Sequence, residues 1–377
     1  MSMRVTLRLA VLTAAVAVAA GCGVSGDAPG SDAGAAGGET WGFVVSVFHE
    51  DIPDVAPEHC PDGMNLNEAE YFGIDWGEVH EARRRLGSLQ AAEDLMFPPD
   101  ACRDPLAQPD PGFITFDADV PLAGLDLDGV DSTQADGARC AHDDFASPGG
   151  ERGIDNQYWR LFGCTRGYQP DGNIQRNADS GSFIKEGIPI LVEVTGVHDA
   201  RDDDDVRVRF ASSADIVTLD AASRAVPWTS MDLYEDPAYV SEPTRGRIVD
   251  GVLTTEPVDV RLRYRQQVID FEYYFRGLQV RAEVLPDGGL KGMIGAYWDI
   301  DNMFKLRNDH RTRNRHTGRA ASDALGYMCA GMYHALRRVA DGHPDPETGA
   351  CTSVSTAYYF EATPAFVIDP GTVAAND

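Results

Sequence analysis

Basic residues are scarce in this chain: 32 Lys and Arg stand against 60 Asp and Glu, a formal net charge of −28. A surface this acidic does not grip nucleic acid or anionic lipid as a whole, because both require phosphate to be neutralised by Lys and Arg. Several signatures are missing as well. The chain has no CxxC, no CxxCH and no Cys/His spacing of a zinc finger. Beyond residue 21 it has no GxSxG, HExxH, P-loop or GxGxxG. The sequence therefore offers no nucleophile elbow, zincin helix or phosphate-cradling loop, and no internal repeat is evident. An apolar content of 43% is enough for a packed core.

The first residues carry the sharpest pattern. Residues 1–22 read MSMRVTLRLAVLTAAVAVAAGC. Arg4 and Arg8 give a positive start, and the apolar run over residues 9–20 is too short to span a bilayer as a helix. Small residues follow, as a signal-peptidase site needs. Ala19-Ala20-Gly21-Cys22 resembles the lipobox of bacterial lipoproteins, with Ala19 where the family usually carries a large aliphatic residue. The resemblance implies residues 1–21 as a signal peptide and Cys22 as the lipid attachment site. It also implies a thioether-linked diacylglycerol and an amide-linked chain on that residue, enough acyl groups for stable anchoring. Gly23 after the Cys points to the outer membrane where two membranes exist. Residues 22–40 are Gly, Ala, Ser and Asp with hardly an aliphatic residue and suit a flexible tether. Removing residues 1–21 takes away two arginines, so the mature charge is near 30 − 60 = −30. The expected location is the cell envelope, with the membrane as partner through the anchor.

Setting Cys22 aside leaves six cysteines, Cys60, Cys102, Cys140, Cys164, Cys329 and Cys351. An even number in an oxidising compartment predicts three disulfides. Proximity in sequence predicts Cys60–Cys102, Cys140–Cys164 and Cys329–Cys351.

The pattern along the chain predicts a mainly β protein with flanking helices (α+β), its core an antiparallel β-sandwich or jelly roll stapled by disulfides. Residues 206–210, 258–265 and 278–284 alternate apolar and polar side chains, as strands with one buried face do. Residues 41–48, 188–194, 247–253, 268–275 and 290–298 read as further strands, with hairpin chemistry at Asp250-Gly251 and Pro286-Asp287-Gly288. Residues 78–96, 154–162 and 321–339 read as helices, residues 113–117 and 352–360 as strands. This divides the mature chain into an N-terminal strand, loop and helix (41–110), a β core (111–300), a basic loop, helix and last strand (301–370), and a disordered tail (371–377).

Four constellations are candidates for chemistry. Asp126, Asp128 and Asp131 form an Asp-x-Asp-Gly turn resembling calcium loops, since Ca²⁺ takes hard oxygen ligands on tight turns. Arg207, Arg209, Arg261, Arg263, Arg265 and Arg281 lie on the outward face of the strands. They suit either an anionic ligand or cross-strand pairing with Glu193, Asp259, Glu272 and Glu283, and the pairing is the expected use. The partners expected for the protein as a whole are a polysaccharide or another envelope protein. Residues 305–319, with Arg311, Arg313 and Arg315, could dock an acidic partner such as a surface polysaccharide or lipid phosphate, and could equally neutralise an acidic patch of the protein itself or form a solvated loop. No aromatic residue interleaves there, so nucleic acid is not expected. Asp299 and Asp301 beside Trp298 are the least arbitrary carboxylate pair for hydrolysis, and a strand end with exposed acids explains them as well. The expected function is a lipid-anchored envelope protein with a structural or binding role. The alternatives are a Ca²⁺-dependent carbohydrate-binding module and a secreted carboxylate hydrolase.

Overall fold

The first strand, Glu39–Glu50 (β1), hydrogen-bonds antiparallel on both its edges, and this closes the sheet into a barrel. The computed structural model describes residues 37–53, 57–96, 102, 104–107, 109–134, 140–266, 269–308 and 321–370. Strands follow at Ile190–Val197 (β2), Asp203–Ser212 (β3), Thr229–Asp232 (β4), Thr244–Val249 (β5) and Val252–Thr255 (β6). Then come Val258–Gln266 (β7), Ile269–Val284 (β8), Leu290–Asp299 (β9), Gly342–Pro344 (β10) and Cys351–Ile368 (β11). Helices occupy Glu68–Phe72 (α1), Trp76–Leu86 (α2), Leu89–Met96 (α3), Gln157–Phe162 (α4) and Asn173–Asp179 (α5). The remaining ones are Ser182–Glu186 (α6), Ile300–Asn308 (α7), Ala321–Leu325 (α8) and Cys329–Val339 (α9).

Eight antiparallel strands close in the order β1-β2-β3-β5-β6-β8-β9-β11 and back to β1. The expected sandwich or jelly roll is therefore corrected to a barrel. Strict alternation says only that one face is buried, which holds equally for sandwich and barrel. Closure depends on pairing residues 42–50 with 358–365, which no local pattern reveals. The barrel thus draws strands from both ends of the Gly37–Asp377 unit, outside the 111–300 span expected to hold the β core. Two glycines make the geometry feasible. A Cβ on Gly42 would sit 2.5 Å from the carbonyl oxygen of Ala365, where β11 leaves β1 and runs on parallel to β4. Gly277 (φ +57) lies where β8 shifts register against β9, near its change of partner from β7 to β6.

The interior is filled. Phe43, Val45, Val192, Val208, Phe210, Val280, Ile294, Trp298, Tyr358 and Phe360 belong to one cluster of side chains that are almost wholly buried. Each such side chain contributes roughly 1.5–3 kcal/mol of burial. Outside the wall, Val44, Leu191, Ala211, Met231 and Leu233 form a second, smaller cluster under β4.

Local readings fared unevenly. The expected helix over 78–96 is two helices, broken at Gly87 with φ +71. The stripe over 321–339 is likewise broken, at Gly326 with φ +85. Residues 113–117 form no strand, and Ile114 is instead held by the Asn65 side chain, which accepts from its N–H at 2.9 Å and donates to its carbonyl at 2.8 Å. All six cysteines pair as expected, but as Cys60–Cys164, Cys102–Cys329 and Cys140–Cys351. Proximity failed as a guide because the segments carrying Cys60, Cys102 and Cys140 wrap onto α4, α9 and the start of β11. The closed loops span 104, 227 and 211 residues. Each is long enough to restrict the unfolded chain by about 4–5 kcal/mol in the chain-entropy model.

Candidate functional site

The loops at one end of the barrel frame a groove of about 850 Å³. Its rim is built from short, locally determined turns. Asp199 Oδ1 accepts from Arg201 N at 2.8 Å and Asp203 Oδ2 from His198 N at 2.7 Å, which fixes the β2–β3 loop. Asp250 and Gly251 both have positive φ (+50 and +79), as a two-residue type I′ hairpin requires, and join β5 to β6. Gly288 (φ +84) donates to the carbonyl of Leu285 at 2.9 Å and closes the β8–β9 turn. The three turns are stitched together, Gly251 N donating to Arg201 O and Val284 N to Gly251 O, each at 2.8 Å. Trp41, Trp228, Leu285 and Phe366 give the groove its apolar walls. Trp228 is 59% exposed and Phe366 51%, with ring centroids 5.9 Å apart. Trp228 also adopts φ +60, a left-handed conformation costly for a bulky residue, and its N–H is fastened to Pro364 O at 2.7 Å. Sequence reasoning missed this groove, because its lining comes from seven separate stretches of chain.

The expected calcium turn is partly reassembled. Asp126 and Asp128 meet Asp155 rather than Asp131, with carboxylate oxygens all within 4.8 Å of one another. Asp131 turns away to Arg152 at 2.8 Å. Asp155 arrives by the bridge it makes with Leu125, is 5% exposed, and accepts from Leu127 N at 2.7 Å. Burial pushes its carboxyl up to about 8, with Asp128 and Asp341 adding like charge. Burial likewise raises Asp341 to about 7, against hydrogen bonds from Ser355 that pull it down. Three oxygens are fewer than the six to eight that Ca²⁺ takes, so the trio is an incomplete cage on its own.

The basic candidates are differently employed. Arg209 pairs with Glu193 at 2.6 Å, Arg261 with Glu272 at 3.7 Å and Arg281 with Glu151 at 2.8 Å. Arg263 lies over the Tyr239 ring. Arg311, Arg313 and Arg315 lie outside the described residues. Arg307, from the same basic stretch, is an interior residue. Its guanidinium lies 3.5 Å from Glu50, donates to the Tyr158 hydroxyl, and sits 5.7 Å from the centre of the Trp298 ring. Tyr158 in turn donates to Glu50 at 3.0 Å and shares a hydrogen bond with Tyr168. This network packs with α4 and α7 over the end of the barrel opposite the groove. Asp299 accepts from Asn302 N at 2.8 Å at the start of α7, and Asp301 binds Arg337 at 2.7 Å, so both acids of the hydrolase pair hold structure.

No helix among the described residues is long and apolar enough to cross a membrane. Compared with family models, curated proteins and solved structures, the chain finds no match.

Proposed function

We propose that this chain is exported, anchored by lipid at Cys22, and serves the cell envelope as a binding protein whose ligand occupies the groove at the open end of the barrel. The observation that carries the binding reading is Trp228. A half-exposed indole is held in a strained backbone conformation on the wall of a groove of about 850 Å³. Strain of this kind is retained where surrounding structure enforces it, and such positions gather at ligand clamps. Grooves of 300–1,000 Å³ at barrel mouths, apolar with a few polar groups, are the usual seats of small ligands. Export is supported by the lipobox-like run and by three disulfides, which persist in oxidising compartments.

Two measurements test the reading. Mass spectrometry of the membrane-fraction protein should find a mature chain that begins at an acylated Cys22; an unmodified Cys22 peptide would remove the anchor. A thermal-shift screen of small amphiphiles against the purified protein should yield hits that Trp228→Gly loses. Hits that persist undiminished in that variant would remove the groove.

A further inference from the structure

The groove's charges and hydrogen-bonding atoms restrict what can fill it, granted the binding reading above. Five charged residues line it: Glu193, Asp199, Asp250, Glu283 and Arg201. Glu193 is spent on Arg209 at 2.6 Å, and Arg201 on Asp250 at 3.0 Å. Lys291, cross-strand from Glu283, reaches Glu361 at 3.7 Å instead. Asp199 and Glu283 therefore face the groove with no basic partner among the described residues. The balance of donors tilts the same way. Ionised carboxylates only accept, and the Trp41 indole N–H is already given to Glu39 at 3.1 Å. Side-chain donors left over on the lining are the Trp228 indole, the Thr40 hydroxyl and the Arg201 N–H groups not given to Asp250, and the Arg201 charge is already offset by Asp250. A polyhydroxylated sugar needs donors and acceptors in similar number, and an anion needs donors alone. An ammonium group needs acceptors and the faces of aromatic rings, which this lining supplies.

We propose that the groove takes a cationic amphiphile, an apolar alkyl or aryl body carrying an ammonium group, with the body along Trp41, Leu285 and Phe366 and the cation between Asp199, Glu283 and the Trp228 ring. The net charge of −28 on the whole chain adds a long-range attraction of the same sign preference.

The test is tryptophan fluorescence titration of the purified protein with three compounds sharing one alkyl chain: a primary alkylammonium, an alkyl maltoside and an alkyl sulfate, each below its micelle concentration. The ammonium compound should bind about tenfold more tightly than the maltoside, the spacing expected when about 1.4 kcal/mol separates two ligands, and the sulfate more weakly than either. Added salt should narrow the gap. Asp199→Asn with Glu283→Gln should bring the ratio of ammonium to maltoside affinity down to about one. Equal binding of ammonium and maltoside in the native protein, with both lost in Trp228→Gly, would overturn the cationic preference and leave the groove reading standing. Binding of all three that ignores Trp228→Gly would overturn both. Near-native far-UV circular dichroism of each variant guards against loss of fold.

Discussion

At the closed end of the barrel, Arg307, Glu50, Tyr158 and Tyr168 are sealed among aromatic rings, and Cys164, Cys329 and Cys351 tie the covering segments down. At the open end, Trp228 and Phe366 stand half in solvent and the turns are held by backbone hydrogen bonds and by short contacts from exposed aspartates. Both ends gather aromatic residues and charge, yet they use them in opposite ways. A buried cation is tolerable only when carboxylate and ring faces surround it, so the closed end is a network whose members depend on one another. An exposed indole depends on little and can be spared. This contrast separates residues whose loss unfolds the protein from those whose loss should cost only binding.

The largest expected effect comes from the closed end. Arg307→Ala leaves Glu50 without its cation and should cost about 3–5 kcal/mol in urea unfolding. A loss below about 1 kcal/mol would mean that the network is incidental and that the contrast between the ends is false. Removing one staple, Cys60→Ala with Cys164→Ala, should cost about 2–5 kcal/mol, and non-reducing peptide maps should recover the three pairs described. A free thiol among the six would weaken the account of the covering segments.

A moderate effect should come from the acid trio on the flank of the closed end. Asp155 and Asp341 titrate near 8 and 7 when folded and near 4 when unfolded, so the folded form holds protons that the unfolded chain has released. Stability from these groups is fully present below about pH 4 and is lost as pH rises through about 7–8. In EDTA the melting midpoint should therefore fall by several degrees from about pH 5 to pH 8.5, and Asp155→Asn should flatten that fall. Repeating the melts with Ca²⁺ tests the trio as a cation site, because bound cation restores the midpoint at high pH in the native protein and not in the variant. The smallest effect belongs to the open end: Trp228→Gly should change stability by less than about 1 kcal/mol, since relief of the left-handed strain offsets the lost contact with Phe366.

Much of the β framework was legible because its cause is local. Val258, Val260, Leu262 and Tyr264 alternate with Asp259, Arg261 and Arg263, and a period of two suffices to place β7. Asp250-Gly251 announces its hairpin because few residue pairs accept positive φ twice in succession. Arg209 with Glu193 and Arg261 with Glu272 were legible as cross-strand partners for the same reason. The sites were far less so. Asp126 and Asp128 could be picked out on their turn, but Asp155 joins them from 27 residues beyond Asp128, and no spacing rule connects the two. Arg307 looked like one more basic residue in a charged stretch, although α7 carries it inside.

The sequence by itself determined where most of the barrel strands run, which face of each is apolar, where several tight turns fall, and that six cysteines have partners, because these follow from neighbours along the chain. Only the tertiary structure decided that β1 meets β11 to close a barrel, which cysteines join, which carboxylates converge, and that seven separate stretches of chain frame one groove. Those depend on contacts between residues well separated along the chain, from 27 positions for Asp128 and Asp155 to more than 300 for β1 and β11, whose energies no local pattern records.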